Sequence, residues 1–269
     1  DLRMYNYKSI LGGFMTTFEI RRHEELKAIA VYTYHPENKE PNGYKLMMVS
    51  TLHNGFYACV LKKGSDIIIA YRGTELNDGQ DIKNDYVMWW RHKFPSQAYT
   101  ALRVYDYVKK EYPNCSITVT GHSLGGSLAQ IVGAIKNVTA VTFNAFGTKN
   151  LIDEKYQIHA DKITNYCNPD DFVATENAIN QIGVCYQINS NNYDMLPHFI
   201  EKMQPLENRI LSSPQNLDRA WRRKQKADST NNRYFYTTNC PGFYPVSGYT
   251  RDDGTKVDSY IRTCYLHGG

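Results

Sequence analysis

The chain has 269 residues, 42% of them hydrophobic and 22% charged, with a formal net charge of +4. That is enough for one large α/β domain, or for a domain with a small appendage, and so slight a charge gives no reason to expect a nucleic-acid partner. No apolar run is long enough to span a bilayer, so an integral membrane protein is not expected.

The chain starts at Asp1 rather than at methionine, which predicts that a preceding segment has been removed. Residues 20–34, IRRHEELKAIAVYTY, read as a helix running into a β-prone stretch. NGFYACVLKKGSDIIIAYRGTE reads as two strands joined around Lys63-Gly64-Ser65-Asp66, a hairpin signal. The acidic stretch 75–85 offers Glu75, Asp78, Asp81 and Asp85 but lacks the spacing of a calcium loop, so a solvated loop is expected. Met88-Trp89-Trp90 suits core packing, or an apolar surface entering a lipid interface, and the interval before Pro95 leaves little room for a long lid. Ala98, Ala101, Leu102, Tyr105 and Val108 recur at helical spacing between Pro95 and Pro113. Next come strand SITVT, helix GSLAQIVGAIKN, strand AVTFNAFG, and the stretches DKITNYCNPDDFVA and IGVCYQIN. Strands alternating with helices predict a mostly parallel sheet covered on both faces.

The sequence Gly121-x-Ser123-x-Gly125 lies where the β-branched strand turns into the apolar helix. A serine hydroxyl is a poor nucleophile unless a base takes its proton. A sharp strand-to-helix turn lifts Ser123 Oγ above the sheet edge and aims the next N–H, that of Leu124, at a developing oxyanion. Glycines at 121 and 125 remove side chains that would collide with the neighbouring strand and helix. The stretch IIIAYRGTE, an apolar strand ending in Arg72-Gly73-Thr74, puts a second donor-rich turn at the same sheet edge. In a hydrolase with this turn the acid follows the serine and precedes the histidine. Asp170 and Asp171 stand just after an apolar strand, and His198 and His267 are the histidines downstream. His122, beside the serine, is expected to point away from it in a structural role.

VTGHSLGGSLA together with IIIAYRGTE resembles the class 3 lipase family of α/β-hydrolases, in wording closest to its bacterial branch with a short lid. The resemblance covers residues 45–205 and implies an α/β-hydrolase fold. It implies that the Thr74 N–H completes an oxyanion hole with Leu124. The family's Asp-x-Val-Pro maps onto Asp171-Phe172-Val173, with Ala174 in place of proline, which favours Asp171 over Asp170 as the acid. The segment MLPHFIEKM makes His198 the base, with Met203 where the family has an aromatic residue. Asp85 matches an aspartate of structural role.

Beyond about residue 203 the composition changes, giving domains at 1–205 (hydrolase), 206–230 (basic connector) and 231–269 (β-hairpin extension). In the connector Arg219, Arg222, Arg223, Lys224 and Lys226 surround Trp221, as a solvated helix end or as a patch for anionic headgroups. Val-x-x-Tyr-x-Arg occurs at 246–251 and again at 257–262. A two-residue turn at Asp253-Gly254 would set Tyr249 opposite Asp258 and Val246 opposite Ile261. That register brings Cys264 near Phe243, and the Pro241-Gly242 bend brings Cys240 within reach, so a Cys240–Cys264 disulfide is expected. Cys167 and Cys185 are read as thiols, with a bridge between them as the alternative, and Cys59 and Cys115 as buried thiols. The cysteines form no CxxC pairs, so no metal is expected.

The expected activity is cleavage of lipid carboxylic esters through an acyl-enzyme, as a phospholipase A or a lipase, with no cofactor. Its substrate would be a lipid or membrane surface, it would be exported, and the hairpin would offer a surface to a protein partner. The alternatives are an esterase or thioesterase for a soluble substrate, and a catalytically silent scaffold serving as a binding module.

Overall fold

Helix α1, Thr17–Tyr32, starts where a complete capping box forms: the Thr16 hydroxyl accepts the Glu19 N–H at 3.1 Å, and the Glu19 carboxylate accepts the Thr16 N–H at 2.8 Å. The helix therefore starts earlier than its apolar residues suggest and absorbs most of the stretch expected to be β-prone. The computed structural model describes residues 15–74, 94–189 and 198–231, and the strand residues 243–246, 249–250, 256–257 and 260–263. The expectations placed on 75–90, on Cys240, Cys264 and His267, and on the side chains of Trp221, Lys224 and Lys226 lie outside the described residues.

Eight strands lie in chain order across one sheet. β1 (Lys45–Thr51), β2 (Tyr57–Lys63) and β3 (Asp66–Tyr71) are antiparallel neighbours, the last two joined at Gly64. β3 then runs parallel to β4 (Ser116–His122), β5 (Thr139–Phe143), β6 (Ile163–Cys167) and β7 (Val184–Gln187), and β8 (Ile210–Ser212) closes the far edge antiparallel. Parallel neighbours need crossovers, supplied in part by α2 (Phe94–Glu111) and α3 (Leu124–Lys136).

The alternation of side chains along each strand divides the core. Ile67, Ile69 and Tyr71 of β3 pack with Ala101, Val104 and Val108 of α2 and with Leu128 and Val132 of α3. Ile68 and Ala70, on the other face, join Leu26, Ile29 and Ala30 of α1. Strand β3 is thus apolar on both sides, as a central strand between two helical layers must be. Between α3 and the sheet lies one polar island. Gln130 donates to Asn165 Oδ1 at 3.0 Å and to Gln181 Oε1, and accepts from Thr148 at 3.0 Å. Asn165 also accepts from Thr142 and donates to the Ile182 carbonyl at 2.7 Å, and Gln181 donates to the Ala145 carbonyl. All five side chains are buried, and every amide end is bonded.

The chain divides into two compact units, Asp1–Trp221 and Arg222–Gly269. The stretch 206–230, expected as a connector, instead carries β8 and most of helix α5 (Pro214–Asn231), whose Leu217 is fully buried while Arg219, Arg222 and Arg223 are exposed. In the second unit β9 (Phe243–Val246) pairs with β12 (Tyr260–Thr263), and β10 (Tyr249–Thr250) with β11 (Lys256–Val257). The register differs by one from that of a two-residue turn: Tyr249 faces Val257 and Val246 faces Tyr260. A one-residue shift changes which side chains share a face, and it follows from the number of residues left between the pairs. Cys59, Cys115, Cys167 and Cys185 are free thiols, so Cys167 and Cys185 form no bridge although they lie on adjacent strands. Burial raises both of these thiols, Cys185 to about 12. Among the described residues no helix is long and apolar enough to cross a membrane.

Ile69 has no exposed surface, whereas Val49 on edge strand β1 is 42% exposed. Ile69→Ala is expected to cost about 2–5 kcal/mol in urea unfolding, and Val49→Ala less than about 1 kcal/mol.

Candidate active site

Strand β4 ends at His122, and the chain reverses into α3 through Ser123, whose φ of 57° and ψ of −125° lie outside the regions open to ordinary residues. The Ser123 N–H is held by the Phe143 carbonyl at 2.9 Å. The turn is tight enough that a Cβ added at Gly125 would sit 2.0 Å from the Tyr71 carbonyl oxygen. As first residue of α3, Leu124 has an N–H with no acceptor inside its own helix, at the positive end of the helix dipole.

The side chains of Ser123, His198 and Asp171 are brought together although they lie on three separate segments. His198 Nε2 is 2.9 Å from Ser123 Oγ, and His198 Nδ1 is 2.9 Å from Asp171 Oδ2. A carboxylate can only accept, so Nδ1 carries the proton and the Nε2 lone pair faces the serine hydroxyl. Asp171 is 1% exposed, a costly place for a charge unless donors surround it. It caps the short helix α4 (Phe172–Glu176), accepting the Val173 N–H at 3.1 Å and the Ala174 N–H at 3.2 Å. Asp170 is exposed, and its N–H is bonded to Asn168 Oδ1 at 2.9 Å. Met203 is buried in the core beside α1, and Lys27 of α1 donates to the Met203 and Gln204 carbonyls at 3.2 Å, holding the segment that follows His198.

The Arg72–Thr74 turn follows β3 at the same edge of the sheet. The guanidinium of Arg72 lies 4.1 Å over the Tyr57 ring. Gly73 admits no side chain: a Cβ there would be 2.4 Å from Tyr34 Oη and 2.8 Å from the His122 carbonyl oxygen. Thr74, the residue expected to give its N–H, is half-buried.

Three contacts of the site are not visible in the sequence. His122, expected in a structural role, has its Nε2 2.7 Å from the His198 carbonyl, and the two rings lie 4.7 Å apart, centroid to centroid. Tyr34, just past α1, bonds His122 Nδ1 at 2.9 Å. Asn144, with φ of 47°, donates to the same His198 carbonyl at 3.0 Å. Nothing in the spacing of Tyr34 or Asn144 marks them. Positive φ does favour asparagine, but so general a preference singles out no position. Among the described residues no group of three or more His, Cys, Asp or Glu is placed to hold a metal ion.

The sequence profile of a phospholipase-like family, the Tle-like phospholipase domain, matches residues 25–187, more than half of the chain. A shorter stretch is similar to ATG15, a protein bearing the name lipase, at 50% identity over 46 residues for Candida glabrata and 52% over 46 residues for Eremothecium gossypii. Each match takes in 17% of this chain, but only 9% and 8% of the two relatives, so the chain spans less than a tenth of them. The lipase from Rhizopus microsporus var. chinensis matches with a TM-score of 0.51 at 17% identity, over 64% of this chain and 75% of that one. At that identity the likeness is one of fold, the α/β-hydrolase architecture.

Burial holds His122 well below the ordinary histidine range, helped by the neighbouring His198. It pushes His23 of α1, bonded to the Tyr166 hydroxyl, down to about 4. Both are neutral in the folded protein at pH values where the unfolded chain, with histidines near 6.5, binds protons. Their contribution to stability is therefore intact above about pH 6.5 and is lost as pH falls towards 4. His23→Gln should flatten part of that loss in urea unfolding at pH 7, 6 and 5, and the His122 ring resonance should not titrate between pH 5 and 8.

Proposed function

The chain belongs to the Tle-like phospholipase family, and from that premise we propose that it is a serine hydrolase cleaving a carboxylic ester of a phospholipid through an acyl-enzyme. The observation that carries this reading is the hydrogen-bonded line from Ser123 Oγ through His198 to Asp171, with the imidazole lone pair facing the hydroxyl.

In this reading Ser123 Oγ attacks the ester carbonyl carbon while His198 Nε2 takes its proton. Asp171 keeps the proton on Nδ1 and stabilises the imidazolium that forms. The negative charge of the tetrahedral intermediate falls on the former carbonyl oxygen, beside the N–H groups of Thr74 and Leu124. When the C–O bond breaks, the departing alcohol receives the proton from His198. Water, deprotonated by the same nitrogen, then attacks the acyl carbon; the bond to Ser123 Oγ breaks, His198 returns the proton to that oxygen, and the fatty acid is released. These steps call for no cofactor or metal, since His198 carries each proton between the serine, the departing alcohol and water.

The substrate class, a phospholipid at a membrane surface, is supported by the family's description and not by any geometry of a headgroup site. The remaining parts rest on sequence alone: a short lid, as in the bacterial branch of the class 3 lipases; export; the Cys240–Cys264 bridge; and a hairpin that engages a protein partner. Recovery of both cysteines as free thiols from native protein would remove the support for export.

Release of fatty acid from phospholipid vesicles is the deciding assay. Ser123→Ala should lower it by more than about 10⁴-fold, with the fold intact by circular dichroism. Serine-dependent release from triglyceride emulsion alone would make the chain a glyceride lipase. Turnover of soluble short-chain esters with no gain at an interface would make it an esterase, and no serine-dependent release from any of these would leave a binding module.

A further inference from the structure

A hydrogen-bonded path runs beneath Ser123 without using its hydroxyl, and its directions are fixed. The His198 carbonyl can only accept, so His122 Nε2, 2.7 Å away, carries the proton. His122 Nδ1 is then an acceptor, and the Tyr34 hydroxyl at 2.9 Å donates to it. The Tyr34 oxygen in turn accepts the Gly73 N–H at 3.1 Å. On the far side, Asn144 donates to the His198 carbonyl at 3.0 Å and accepts the Asn168 N–H at 2.8 Å, and the Asn168 carbonyl accepts the Asp171 N–H at 3.1 Å.

We propose that Tyr34 is a positioning residue for ester cleavage: through His122, its hydroxyl ties the Gly73–Thr74 turn to the main chain of His198, so that one strut sets the distance between oxyanion donor and base. The proposal rests on the reading of Ser123 and His198 as nucleophile and base. The strut spans the two parts of the site that must hold still while charge moves between them, and transition-state stabilisation is sensitive to sub-ångström placement. It also occupies the Gly73 N–H, which leaves Thr74 as the donor of that turn. Finally, it keeps His122 in its neutral form: a proton on Nδ1 would displace the Tyr34 donor and set a second positive charge 4.7 Å from the ring that becomes an imidazolium.

Tyr34→Phe keeps the ring and removes only the oxygen. Assayed on phospholipid vesicles and on a soluble p-nitrophenyl ester, Y34F should lower kcat about 10- to 100-fold, with KM changed less than about twofold and the melting temperature lowered by only about 2–4 °C. His122→Phe breaks the same path, so the Y34F/H122F double variant should be no slower than the slower single variant. Wild-type kcat in folded Y34F would overturn the proposal. So would losses that multiply in the double variant, or a Y34F protein that does not fold, which would assign the hydroxyl to stability. Ser123→Ala separates the two readings: if it abolishes turnover while Y34F leaves kcat unchanged, only the strut fails, and if it leaves turnover intact, the nucleophile reading fails and the strut has nothing to position.

Discussion

The carbonyl oxygen of Tyr71, at the end of β3, occupies the space that a side chain at position 125 would need, 2.0 Å from where its Cβ would be. This contact between the first turn of α3 and the end of the neighbouring strand lets the helix begin directly after β4, with one residue between them. That residue is Ser123, and its strained backbone is the result: the chain must reverse within a single peptide unit, and the hydroxyl is pushed out at the sheet edge. Arg72 and Gly73 directly follow Tyr71, so the close approach also brings the second donor-rich turn to the same edge. The glycines, the positive φ and the meeting of two turns thus share one geometric cause.

The electrostatics of the site answer a second constraint. Burying a carboxylate is costly, and Asp171 is stabilised by three N–H donors, two from the helix it caps and one from His198. A single residue therefore terminates a loop, starts a helix and orients an imidazole. The histidine beside the serine follows the opposite course. His122 is buried without a carboxylate partner and stays uncharged, its two nitrogens used by a hydroxyl and a carbonyl. Two imidazoles in ring contact thus face different partners.

The sequence made the centre of the fold readable and its margins hard to read, for physical reasons. A strand such as Ile67–Ala70 is buried on both sides and shows as an apolar run, and the elbow carries its glycines at fixed offsets. Ser123, His198 and Asp171 could be chosen because chain order and a family pattern limit the options. Edge strands leave weaker traces: β1 alternates between exposed and half-buried residues, and β8 is only Ile210–Ser212, too short for a period to appear. Neither shows in the sequence as a strand, and β8 lies within the stretch whose composition predicts a connector. Tyr34 and Asn144 were illegible for another reason. Their roles depend on contacts 88 residues apart for Tyr34 and His122, and 54 apart for Asn144 and His198, and no local pattern encodes a partner at such a distance.

The polar island of Gln130, Thr142, Thr148, Asn165 and Gln181 has a consequence for how this chain can change over time. Each amide is bonded at both ends, so replacing one member with an apolar residue leaves a neighbour's donor or acceptor stranded in the core. The surrounding methyl-bearing core can drift one residue at a time, because a lost methylene is a matter of degree. The five cannot. In any lineage they are expected to be inherited together or exchanged together, and their co-occurrence would trace descent through this fold more faithfully than the apolar residues around them.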